Sequence, residues 1–184
     1  MMKILQLLFV LFPFIGTSFG QGPKGLSVEL SQLKDYYVPY KGELRYVPEN
    51  KKIKEKRFDI RVALTNKSSD TLRLWLMKCS WDENFIINND YIYFSGWGCD
   101  SNYPHVVTIK PNDSISLGAT LTRSILWDNP SKNQIGQISD HNIKETKLGL
   151  IFVDGKAAEK EYEIITQDKS RWTIIWSNPL ELNK

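Results

Sequence analysis

Two runs of strict alternation around a polar break constrain this chain more than any other feature. Phe58, Ile60, Val62 and Leu64 alternate with Asp59, Arg61, Ala63 and Thr65. Asn66-Lys67-Ser68-Ser69-Asp70 interrupts the pattern, and Leu72, Leu74 and Leu76 then alternate with Thr71, Arg73, Trp75 and Met77. A period of two puts every second side chain on one face, which suits a half-buried strand and not a helix. The pair reads as a β-hairpin or as two strands that cross between sheets.

The rest of the chain repeats the signal in shorter pieces. Leu26, Val28 and Leu30 mark a first strand, and Tyr36–Tyr40 a second that Pro39 confines to an edge or bulge. Phe85–Ile87 and Tyr91–Phe94 flank the turn Asn88-Asn89-Asp90; Val106, Val107 and Ile109 lead through Pro111-Asn112-Asp113 to Ile115, Leu117 and Leu121. Trp127–Ile143 reads as a long loop. Leu148–Val153, with Asp154-Gly155 behind it, starts a hairpin whose return is Tyr162–Thr166, and Trp172–Trp176 is the last strand. No amphipathic helix and no internal repeat stand out. Eight or more short strands with turns between them predict an all-β fold, an antiparallel β-sandwich. An eight-stranded barrel holding a ligand in its mouth is the competing architecture, and no glycine-rich pattern favours it.

The first twenty residues predict export. Lys3 precedes the apolar run Ile4–Ile15, and Ser18 and Gly20 supply a small-x-small site, so cleavage is expected before Gln21. The run is too short for a membrane-spanning helix, which needs about 20 residues. The expected product, residues 21–184, is one domain of a size that needs no metal or dense disulfide framework to fold. It is expected to be periplasmic or extracellular, without stable membrane insertion. The formal charge of +3 becomes +2 when Lys3 leaves, too little to imply a polyanionic partner such as nucleic acid. The basic cluster Lys51, Lys52, Lys54, Lys56 and Arg57 is diluted by Glu49 and Glu55 and lacks interleaved aromatics, so it reads as a solvated loop.

Two cysteines, Cys79 and Cys99, in an exported chain predict one disulfide closing a loop of about 20 residues, with stabilisation of roughly 3 kcal/mol. Two separately buried thiols are the alternative. Six Trp, eight Tyr and eight Phe are many for one small domain. The densest group lies between Cys79 and Tyr103, where Trp81, Tyr91, Tyr93, Trp97 and Tyr103 are the candidate binding residues, for a glycan or a protein partner. The competing reading places these rings in the core and over its open ends.

Catalytic signals are thin. There is no Gly-x-Ser-x-Gly, and only His105 and His141 offer imidazoles. Cys99 with His105 resembles a thiol–imidazole pair, but a disulfide would consume the thiol. Asp82, Glu83, Asp90, Asp100 and His105 lack the spacing of a zinc site or calcium loop. No metal, cofactor or catalytic residue is therefore expected. Asp70-Thr71-Leu72 and Asp113-Ser114-Ile115 look like an Asp-Ser/Thr-aliphatic O-glycan acceptor pattern, marking Thr71 and Ser114 as candidate O-glycosylation sites. Asn66 and Asn112 head sequons for hosts that N-glycosylate.

The strand–turn–strand 58–77 resembles that of immunoglobulin-like domains in exported bacterial proteins, as does the turn Lys110-Pro111-Asn112-Asp113 before a later strand. With Cys79-Ser80-Trp81, Gly96-Trp97-Gly98-Cys99 and Trp176-Ser177-Asn178-Pro179-Leu180, the chain is similar to small, uncharacterised exported proteins of Gram-negative bacteria. The resemblance implies an immunoglobulin-like fold and carries no activity with it. The expected role is non-catalytic interaction or assembly in the envelope or outside the cell, with a protein or glycan partner. A carbohydrate-binding module using exposed Trp and Tyr is the alternative, and a hydrolase with a loop-borne site between Asp82 and His105 is the remaining one.

Overall fold

The computed structural model describes residues 23–40, 54–96, 101–123 and 143–180. The expected export leader, Lys51, Lys52, Trp97, Cys99, Asp100, Trp127 and His141 lie outside them. The strands are β1 (Leu26–Pro39), β2 (Lys54–Asn66), β3 (Leu72–Met77), β4 (Phe85–Ile87), β5 (Ile92–Phe94), β6 (Pro104–Ile109), β7 (Ser114–Arg123), β8 (Leu148–Phe152) and β9 (Thr173–Trp176). Every strand pairing among the described residues is antiparallel. Helix α1 (Glu159–Gln167) lies between β8 and β9. The chain is all-β and antiparallel.

One sheet runs β1-β2-β7-β5. The others are β6 on β3, and β4-β8-β9. The residues after β8 join these two. Trp75 donates its main-chain N–H to the Val153 carbonyl (3.0 Å), Gly155 donates to Arg73 (3.0 Å), and Leu74 bridges Asp154. β3, the 3-10 turn Trp81–Asn84 and β4 thus form one interrupted strand along β8 and its extension. Phe58, Ile60, Val62, Leu64 and Leu121 from the first sheet share one core with Leu74, Leu76, Ile109, Leu148 and Leu150 from the others. Each such side chain contributes roughly 1.5–3 kcal/mol by leaving water.

The two alternating runs are β2 and β3, and they do not pair: β2 lies between β1 and β7, while β3 pairs β6. Of the two readings, crossing between sheets is the one observed. Tyr36–Tyr40 is not a separate strand but the continuation of β1, past an irregularity between Gln32 and Lys34. Pro39 is its last residue, where a missing N–H costs no ladder bond.

The expected hairpin return at Tyr162–Thr166 is a helix. Tyr162 and Ile165 recur at helical spacing, and Glu159 and Glu161 place negative charge at the helix N-terminus, where the backbone dipole favours it. Asp154-Gly155, read as a hairpin turn, instead carries the chain across β3. A Cβ on Gly155 would lie 2.7 Å from the Arg73 Cβ and 2.8 Å from Val106 Cγ1, so only glycine permits that approach. α1 then packs through its buried Tyr162. The Trp75 ring lies 5.6 Å from the Tyr162 ring, and its indole N–H donates to the Ala157 carbonyl (3.0 Å).

Candidate functional site

The aromatic cluster expected to form a binding face is divided by the fold. Trp81 is 7% exposed and its ring meets Phe85 and Phe94 edge-on at 5.4 and 5.8 Å; it is a core residue, a correction to its expected place on a surface. Tyr93 is 44% exposed on β5 and donates its hydroxyl to Glu55 (3.2 Å). Burial, then the nearby Glu55 charge, raises its pKa. Tyr103 is 45% exposed beside β6, where Lys78 donates to its hydroxyl (2.8 Å) and lies 4.8 Å over its ring. Tyr93 therefore lies on the β1-β2-β7-β5 sheet, whereas Tyr103 directly precedes a strand of another sheet. Tyr91 lines an open bowl of about 270 Å³ with Asn88, Asn89, Asp90 and Glu145.

The loop-borne acid–base region comes together only in part. His105 Nδ1 lies 3.0 Å from the Leu76 carbonyl, which only accepts, so this nitrogen carries the proton. Burial raises the Asp82 pKa. Among the described residues, no three His, Cys, Asp or Glu side chains cluster to hold a metal ion. Cys79 lies in the bend after β3 and is not a free thiol.

The sheet margins differ sharply in how they end. β5 is three residues long and β9 four. β1 is long but covered in part: Leu30 donates its N–H to Asn178 Oδ1 (2.7 Å), and Asn178 Nδ2 donates to the Leu30 carbonyl (2.9 Å). One side-chain amide thus does what a neighbouring strand would do. Farther along come the irregularity at Gln32/Lys34, the charges Lys34 and Asp35, and Pro39, all of which discourage pairing.

β6 has only one of these guards, its opening residue Pro104. Its six residues, Pro104-His105-Val106-Val107-Thr108-Ile109, contain no Asp, Glu, Lys or Arg, and four have β-branched side chains. Trp75 and Arg73 turn their main-chain groups toward residues 153–155, so Leu72, Leu74 and Leu76 turn theirs toward β6. By the alternation of an antiparallel ladder, Ile109, Val107 and His105 answer them, and Val106 and Thr108 point their N–H and C=O groups away. Val106 is 37% exposed. Among the described residues, β6 pairs with β3 alone.

Asn66, noticed in the sequence only as a sequon and turn residue, organises one pole of the molecule. It is 0% exposed, and its Nδ2 donates to the Asp70 (2.8 Å) and Ile109 (2.9 Å) carbonyls. Oδ1 accepts from the Ser68 N–H (2.9 Å) and hydroxyl (2.6 Å). Its own N–H donates to the Asp113 carbonyl, and its carbonyl accepts from the Asn112 N–H. Asn112 sits at φ 59°, a left-handed conformation that asparagine tolerates at the third position of the turn closed by Asp113 N–H to Lys110 (3.1 Å). With every polar group engaged and no exposure, Asn66 offers no N-glycan acceptor in the folded protein.

Asp59, on the outer face of β2, collects Thr120 Oγ1 (2.7 Å), the Tyr36 hydroxyl (3.2 Å) and Lys34 Nζ (3.1 Å). Burial pushes its pKa up, but hydrogen bonds from Thr120 and Lys34 and the Lys34 charge outweigh that and hold it below the usual carboxylate value. No helix among the described residues is long and apolar enough to cross a membrane.

No family model and no curated protein matches this chain. Among solved structures, it is similar to a FixG-related protein from Vibrio parahaemolyticus at 12% identity and a TM-score of 0.31, over 87% of this chain and 100% of that one. It is also similar to a GH20 exo β-N-acetylglucosaminidase from Vibrio harveyi at 12% identity and a TM-score of 0.30, over 87% of this chain and 19% of that one. Likenesses this weak assign neither a fold family nor an activity.

Proposed function

We propose that this chain is an exported, non-catalytic module of immunoglobulin-like sandwich type that acts by interaction or assembly in the envelope or outside the cell, using the free edge of β6 to accept an extended segment of a protein partner. The observation that carries the reading is the contrast at the margins. β6 leaves the Val106 and Thr108 main-chain groups unpaired among the described residues, in a strand without charge. Strand addition draws affinity from such groups and specificity from the side chains beside them, here Tyr103 and Val106. The order β1-β2-β7-β5 beside an interrupted strand shared by β6 and β8 supports the sandwich assignment. A Cys79–Cys99 bridge belongs to the same proposal: Cys79 is not free, and the bridge would tie the end of β3 to the chain leading into β6. Export rests on the N-terminal pattern.

The test is site-specific photo-crosslinking in the exported full chain, with the probe at Val106 or at Tyr37 on β1. The expected result is one partner captured from Val106 and not from Tyr37, with the Val106 and Thr108 amides becoming protected from hydrogen exchange in the complex. Equal capture from both positions contradicts the proposal. Absence of capture together with a saturable glycan response lost on Trp97→Ala or Tyr91→Ala favours the carbohydrate reading, for which the bowl beside Tyr91 is the supporting observation.

A further inference from the structure

The pole organised by Asn66 carries the two Asp-Ser/Thr-aliphatic tripeptides, and the fold gives them matching surroundings. Thr71 directly precedes β3 and Ser114 opens β7, each at a turn-to-strand junction. The Asp70 carbonyl accepts from Asn66 Nδ2 and the Asp113 carbonyl accepts from the Asn66 N–H, so each hydroxyl-bearing residue follows a carbonyl fixed by the same buried side chain or its backbone. Leu72 and Ile115, the next residues, pack against the core and anchor the other side. Between these fixed points both Thr71 and Ser114 are exposed, and neither hydroxyl forms a hydrogen bond among the described residues. An exposed side-chain hydroxyl on a rigid junction has no internal bond to break before entering another enzyme's active site.

We infer that Thr71 and Ser114 are acceptor hydroxyls for O-linked sugars, displayed together at the Asn66 pole. The reaction needs a glycosyl donor activated as an anomeric phosphate or diphosphate ester and a separate transferase. The Thr71 or Ser114 oxygen bonds to the anomeric carbon, the bond from that carbon to the phosphate oxygen breaks, and the phosphate leaves with the electron pair. The hydroxyl proton passes to a base of the transferase. The local charge separates this from phosphorylation. Asp70 and Asp113 sit beside the hydroxyls and would repel an incoming phosphoryl group, whereas a glycosyl group adds no negative charge and its hydroxyls can donate to a carboxylate. The Asp70 carboxylate forms no hydrogen bond among the described residues and is available for recognition; Asp113 Oδ1 accepts from the Ser114 N–H (2.8 Å). This inference stands independently of the β6 edge.

Intact-mass spectrometry of the exported protein from its own source organism tests it. The expected mass exceeds that of the polypeptide by two sugar additions. Thr71→Ala and Ser114→Ala each remove one addition, and the double variant returns the bare mass. Thr71→Ser retains its addition, and Asp70→Asn lowers occupancy at Thr71 although the hydroxyl remains. Asn112→Gly, which keeps the left-handed turn position without strain, leaves both additions in place, which separates O-linkage at Ser114 from N-linkage at the neighbouring sequon. Thermal unfolding controls for folding, since exposed substitutions of this kind are expected to leave the midpoint nearly unchanged. A wild-type protein at the bare polypeptide mass, or additions that persist in the double variant, would overturn the inference.

Discussion

Among the described residues β1 and β6 are both edge strands, and their margins are built differently. β1 has 14 residues of potential docking surface and is interrupted along its length by an asparagine amide, an irregularity, two charges and a proline. β6 has six residues and no such interruption after its opening Pro104. A heavily guarded long edge beside a lightly guarded short one is the contrast on which the proposed strand-addition role of β6 rests.

The largest effect is expected at Asn66. Asn66→Ala removes one donor from each of the Asp70 and Ile109 carbonyls and leaves the Ser68 N–H without its acceptor, a loss of about 3 kcal/mol. Because Ile109 ends β6, denaturant unfolding should show the lost stability, and amide exchange should rise in β6 more than in the Leu30 segment of β1. Equal loosening of both strands would mean that Asn66 does not favour β6.

Asn178→Ala makes β1 resemble β6. Removing two hydrogen bonds to Leu30 is expected to cost about 1–2 kcal/mol in equilibrium unfolding, and sedimentation should detect concentration-dependent self-association absent from the wild type. Val106→Lys performs the converse, placing a guard on β6. Stability should change by less than about 0.5 kcal/mol, since the side chain is already substantially exposed, while partner capture is lost.

The smallest effect separates the strands by pH. Asp59 holds Lys34 and Tyr36 of β1 from β2, and its folded pKa lies below the ordinary carboxylate value. A depressed acid pKa contributes stability that is fully present above the unfolded value and is lost as pH falls through the folded one. Stability should therefore decline below the ordinary carboxylate range, near pH 4 and lower, with Asp59→Asn flattening that part of the profile. β6 contains no carboxylate, so its open Val106 and Thr108 amides should follow the ordinary pH dependence of exchange and show no added step.

Much of the strand framework was legible because a half-buried strand writes its burial pattern with a period of two, as β2 and β7 do. What the sequence could not show was which strands become neighbours, since pairing depends on contacts far apart in the chain; the split of β2 and β3 between sheets is one such case. α1 was missed because one short helix with a single buried residue, Tyr162, leaves too little periodicity to outweigh a β-rich composition and a nearby Asp-Gly. The candidate binding face failed at Trp81 for a related reason: an aromatic after a strand reads the same whether it caps the core or faces solvent. Asn66 and Asn178 act through main-chain partners 43 and 148 residues away, and short-range spacing carries no trace of such bonds.

Residue-resolved amide hydrogen exchange on the isolated full chain tests the central contrast most directly. The Val106 and Thr108 amides should exchange orders of magnitude faster than those of His105, Val107 and Ile109, while Leu30 on β1 remains protected by Asn178. Protection of Val106 and Thr108 equal to that of Leu30 would contradict an open β6 edge, and with it the docking role assigned to that strand.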